Sequence, residues 1–120
     1  IIEDNVAGAG GGVFFHSTAT GSLIDCVVRN NKSNFYGGGL FIRSETPFTL
    51  RRRRFEGNQS VGGGSAAFVE SGEPVEISQC TFVGNAVERS YEHGSLNIAW
   101  GRNISVTDST FEDNENGALY

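Results

Sequence analysis

The chain has 120 residues, a net charge of −5 and a hydrophobic share of 38%, which leaves room for one domain with a modest core. The negative balance argues against a nucleic-acid partner, because phosphate binding needs a basic surface, and no apolar run nears bilayer length, so the chain is read as not membrane-embedded. Seventeen glycines, two cysteines and no methionine make a strand-and-turn composition, neither helical nor a disulfide scaffold.

In chain order, Ile2-Glu3-Asp4-Asn5 comes first: an apolar residue, two variable residues, then Asn. Gly10-Gly11-Gly12 follows and leads into alternating apolar positions at Val13 and Phe15, then Gly21 and Leu23. Val28-Arg29-Asn30-Asn31 restarts the pattern, with Gly37-Gly38-Gly39, Leu40 and Ile42, and Phe48 and Leu50 behind it. The third round is Phe55-Glu56-Gly57-Asn58, Gly62-Gly63-Gly64, Ser65 and Ala67, then Val75 and Ile77. The fourth is Phe82-Val83-Gly84-Asn85, His93-Gly94-Ser95, Leu96 and Ile98, then Ile104 and Val106. Phe111-Glu112-Asp113-Asn114 and Asn116-Gly117-Ala118 begin a fifth.

The spacing is more telling than the period. From the last small residue of each glycine motif to the next Asn the count is 19 (12 to 31), 19 (39 to 58), 21 (64 to 85) and 19 (95 to 114). From Asn to that small residue it is 7, 8, 6, 10 and 4. One part of each repeat is nearly rigid and the other absorbs the variation, as in a solenoid coil with one tolerant loop. Period-two alternation without helical windows predicts an all-β parallel β-helix of about four to five coils of roughly 27 residues. Two or three short strands per coil are expected, with the right-handed winding of parallel connections generally. Residues 1–120 are read as a single segment of a longer β-helix protein, with partial coils at both ends. Other segments or subunits are expected to cap those ends.

Each recurrent residue has a structural reading. Asn5, Asn31, Asn58, Asn85 and Asn114 are expected to form a hydrogen-bonded ladder and to take left-handed backbone at a corner. Gly12, Gly39, Gly64, Gly94 and Gly117 are read as turn glycines that supply positive φ or close approach. Cys26 and Cys80 occupy one coil position and lie two coils apart, roughly 10 Å by strand spacing, beyond the roughly 7 Å limit for a disulfide. They are read as free thiols. Arg53 occupies that same position and must either reach solvent or pair outside the segment.

A smaller set carries the functional readings. Arg51, Arg52 and Arg54 form a basic cluster that could meet an acidic glycan, with Arg52 aligned on Asp25 and Arg29 on Glu56. Tyr36, Tyr91 and Trp100 are turn or loop aromatics suited to sugar or partner contact. Asn-x-Ser triplets occur at Asn31, Asn58 and Asn103, and only Asn103 lies off the ladder, where a glycan has room. No metal-ligand cluster or cofactor motif is evident, and no residue is assigned as catalytic. The best acidic alignment, Asp25 with Asp108, spans three coils, roughly 14 Å, too far for paired-carboxylate chemistry. Thr18 and Thr20 are a solitary Thr-x-Thr pair, too little for an ice-binding array.

The glycine motif followed by Phe-x-x-Asn resembles the tandem repeats of the polymorphic outer membrane (Pmp) proteins, within the pectin-lyase-like β-helix superfamily. Gly12-Val13, Gly39-Leu40 and Gly64-Ser65 carry the likeness, with Phe55 and Asn58, Phe82 and Asn85, Phe111 and Asn114, and a Cys two residues ahead at Cys80 and Cys26. It departs where Ile2 and Val28 replace Phe and where the fourth glycine motif reads His93-Gly94-Ser95. The resemblance implies a non-enzymatic, extracellular or cell-surface module, structural or adhesive, of a surface protein or assembled fibre. The alternative is a carbohydrate-binding or polysaccharide-degrading lyase, hydrolase or epimerase domain.

Overall fold

A computed structural model describes residues 1–17, 21–89, 94–100, 103–115, 117 and 119. Among the described residues there are strands and turns and no helix. The first coil holds β1 (Ile2–Glu3), β2 (Val6–Ala7), β3 (Val13–Ser17) and β4 (Gly21–Ile24). The second holds β5 (Val27–Arg29), β6 (Lys32–Ser33), β7 (Leu40–Ser44) and β8 (Phe48–Arg51). The third holds β9 (Arg54–Glu56), β10 (Gln59–Ser60), β11 (Ala67–Ser71) and β12 (Val75–Ser78). The fourth holds β13 (Thr81–Val83), β14 (Ala86–Val87), β15 (Leu96–Ala99) and β16 (Ile104–Thr107), and β17 (Thr110–Glu112) starts a fifth.

Every strand pairs in parallel with the strand four places along, so the chain winds through four sheets. A coil therefore has four strands rather than two or three. The extra one is the two-residue β2, β6, β10 and β14 series, too short to show an alternation of its own.

The apolar rows meet on a shared axis. Ile2, Val28, Phe55, Phe82 and Phe111 lie in one register column. The Phe55 and Phe82 rings stack at 5.1 Å and those of Phe82 and Phe111 at 4.6 Å. Leu23, Leu50, Ile77 and Val106 form a second column. Leu40, Ile42, Leu50, Phe55, Val69, Ile77 and Phe82 are fully buried. Each such side chain contributes roughly 1.5–3 kcal/mol.

Beside this core runs the ladder. The Nδ2 of Asn5, Asn31, Asn58 and Asn85 donates to the Oδ1 of the next Asn at 3.0, 3.1, 3.0 and 3.0 Å. The same Oδ1 also accepts the backbone N–H of the preceding Asn, at 3.0 Å in every coil. The Nδ2 groups of Asn31, Asn58, Asn85 and Asn114 also donate back to the carbonyls of Ile2, Val28, Phe55 and Phe82 respectively. The ladder asparagines are not the left-handed residues. That conformation falls one position earlier, on Asp4, Asn30, Gly57, Gly84 and Asp113, which leaves the Asn free to turn its amide inward.

The glycines divide differently from the sequence count. Leu40, Ala67 and Leu96 are paired in register, so the residues before them, Gly39, Ala66 and Ser95, share a place with Gly12. Gly64 belongs instead with Gly10 and Gly37, which share its positive φ of 58, 60 and 66°. Gly94 and Gly117 stand one position before Ser95 and Ala118. Gly12 and Gly39 serve close approach: a Cβ on either would meet a carbonyl oxygen of the next coil at 2.7 Å. With Ala66 in place of Gly64, the odd interval of 21 becomes 19 (66 to 85) like the others.

Candidate functional site

Since the interior is filled by these rows, ligand chemistry is confined to the outer surface. The arginine run sits at the corner between the fourth and first sheets, where Asp25, Arg52, Gln79 and Asp108 all take positive φ. Arg52 grips Asp25 through both carboxylate oxygens, at 2.6 and 3.0 Å. That donation holds the Asp25 carboxyl below the usual carboxylate range and lifts the Arg52 guanidinium above its own. Arg54 pairs with Glu56 at 3.0 Å, and Arg51 reaches the Gln79 amide oxygen at 3.4 Å. Two of the three exposed arginines are thus already neutralised. Arg29, though aligned with Glu56 in register, turns the other way and bonds Glu3 at 2.6 Å.

Arg53 does not reach solvent. It is 2% exposed, and its Nε and Nη1 are buried with no hydrogen-bond partner among the described residues. It lies in the column between Cys26 and Cys80, both free thiols, the second fully buried. Burial pushes the Cys80 thiol up, against the opposing pull of Arg53. A thiol so placed is protonated and inert.

Tyr36 lies against Phe68 with ring centroids 4.6 Å apart. Phe68 in turn ends a second aromatic column, Phe14–Phe41–Phe68, on the outer face of β3, β7 and β11, with rings 5.1 and 5.4 Å apart and nearly parallel. Phe41 and Phe68 are 7% and 5% exposed, covered although they point away from the axis. This column escapes sequence reasoning because strand alternation assigns those positions to solvent. The available signal was their spacing, 14 to 41 to 68, the same 27-residue step as the ladder.

Trp100 stands 90% exposed at a left-handed corner, φ 65°. It rims an open cleft of about 740 Å³ whose other walls are Arg43, Ser44, Glu45, Glu70, Ser71 and Gly72. Arg43 and Glu70, opposite in register, bridge at 2.9 Å. Ser44 and Ser71 shape the turns by donating to the carbonyls of Thr46 and Glu73. The cleft therefore offers one bare aromatic face, an ion pair and a further carboxylate, drawn from three successive coils. The structure brings neither the arginine run nor Tyr36 to it. Tyr91 and the Thr18 and Thr20 pair lie outside the described residues.

Asn103 is exposed at a corner with φ 52°. Among the described residues no three His, Cys, Asp or Glu side chains gather as metal ligands would.

No curated protein and no solved structure matches the chain. Residues 1–111 match the family model of the right-handed β-helix region; with its four parallel sheets and its step of about 27 residues, the chain belongs to that family.

Proposed function

We propose that the chain is a non-enzymatic structural and adhesive module of an extracellular or cell-surface protein, of the kind that Pmp-like repeats build. The observation that carries this reading is the uninterrupted amide ladder from Asn5 to Asn114, which locks every coil to the next. The arrangement suits a stiff spacer. The surface carboxylate best placed for chemistry, Asp25, is tied to Arg52 and held ionised, the wrong state for a proton donor at neutral pH. The purified chain incubated with uronate polymers should release neither unsaturated products nor reducing ends. Turnover that disappears in Asp25→Ala would reverse the reading.

The Trp100 cleft favours a second reading, in which the module holds a saccharide without cleaving it. A bare indole face stacks on the apolar face of a sugar ring, while Arg43, Glu45 and Glu70 supply hydroxyl partners. Trp100 is the only tryptophan in the chain, so tryptophan emission, excited selectively over the three tyrosines, reports on this cleft alone. A saturable, blue-shifted change on titration with oligosaccharides, abolished by Arg43→Ala, is the expected result. An emission spectrum indifferent to every saccharide removes this reading.

A further inference from the structure

Three Asn-x-Ser triplets occur, at Asn31, Asn58 and Asn103, and the fold accounts for the first two. Asn31 and Asn58 are completely buried in the ladder. Their serines are buried as well: the Ser33 hydroxyl lies within hydrogen-bonding distance of the Gly8 and Tyr36 carbonyls, either of which can accept its proton, and Ser60 donates to the carbonyl of Gly63. A coil with a ladder Asn and an inward Ser two residues later spells the triplet automatically. In the fourth coil Val87 fills the serine's place, and the triplet is gone.

The third triplet has no such explanation. Asn103 precedes β16 at a positive-φ corner and is exposed. Ser105 is exposed too, on the outer face of β16, opposite Glu76 of β12. Among the described residues neither side chain has a structural partner. The inward residues of the strand, Ile104 and Val106, carry the packing. A bulky, solvated adduct on Asn103 would disturb neither core nor ladder, whereas one on Asn31 or Asn58 would remove a ladder rung.

We infer that Asn103 is an N-glycosylation site and that Asn31 and Asn58 are not. The inference rests on the extracellular reading, since the modification belongs to a secretory route. In the transfer, Asn103 Nδ2 bonds to the anomeric carbon of a polyprenyl-diphosphate-linked oligosaccharide. The bond from that carbon to the diphosphate oxygen breaks, the diphosphate leaves with the electron pair, and Nδ2 gives up one proton. Ser105 supplies the hydroxyl that the triplet requires.

The test is secretion of the chain from a eukaryotic cell behind an added leader, with intact mass measured before and after peptide N-glycosidase. One glycan per chain is expected, absent in Asn103→Gln and in Ser105→Ala and kept in Ser105→Thr. Secreted protein without a glycan, a glycan that survives Asn103→Gln, or sugar on Asn31 or Asn58 in folded, protease-resistant chain overturns the assignment. Because the leader imposes the route, those outcomes judge the site alone. Failure of the extracellular reading shows separately, as native protein that a membrane-impermeant label on intact cells does not reach.

Discussion

Arg53 is the residue whose environment fits it least. Its column holds Cys26 and Cys80, and nothing among the described residues accepts from its Nε or Nη1. Burying polar groups without partners costs about 1–3 kcal/mol in mutational terms. Arg53→Leu should therefore stabilise the fold by about that amount, read as a higher denaturant midpoint at unchanged slope. Asp25 behaves in the opposite way. Its folded carboxyl is held below the unfolded value of about 3.9, so the unfolded chain binds more protons in that window. Its contribution is present above about pH 4 and is lost as pH falls through the folded value. The stability gap between wild type and Asp25→Asn should accordingly close on acidification below about pH 4, as denaturation at stepped pH would show.

At the level of elements, the ladder does work that no single coil could do alone. Asn58 accepts from the N–H and Nδ2 of Asn31 and donates to Val28 O and Asn85 Oδ1. Asn58→Ala strands several buried groups at about 1–3 kcal/mol each, for an expected loss of about 3 kcal/mol or more. Asn34→Ala, three residues past the ladder position and exposed, should stay within about 0.5 kcal/mol of wild type. Ladder, winding and most inward rows were legible beforehand, because Asn and Phe recur at a step that stacking preserves; in the third coil the row after the glycines was set two residues early, at Ser65 and Ala67, where register places Ala67 and Val69. Two things were hidden. The glycine register slipped in the third coil, since Gly64 looks like Gly12 although Ala66 takes its place; the interval of 21 was the trace of that slip. The outward Phe14–Phe41–Phe68 column was hidden because strand alternation says which face a side chain leaves by, not what covers it. The Trp100 cleft was half visible: an exposed aromatic could be expected, but its neighbours Arg43 and Glu70 come from other coils and gain meaning only through register.

As a whole the molecule measures 30 × 28 × 28 Å, a squat drum in which strand pairing joins each coil only to its neighbours, with the exposed Lys32–Glu88 ion pair at 3.8 Å reaching from the second coil to the fourth, so stability is close to a sum of coil and interface terms. Ladder partners lie 26 to 29 residues apart, and the coils cohere through contacts distant in sequence. The most direct test of the winding is hydrogen exchange of side-chain amides, followed by NMR. The Nδ2 protons of Asn31, Asn58 and Asn85 should be strongly protected, and those of Asn30, Asn34 and Asn103 should exchange at the rates of a free peptide. Equal, rapid exchange for all six would contradict the winding.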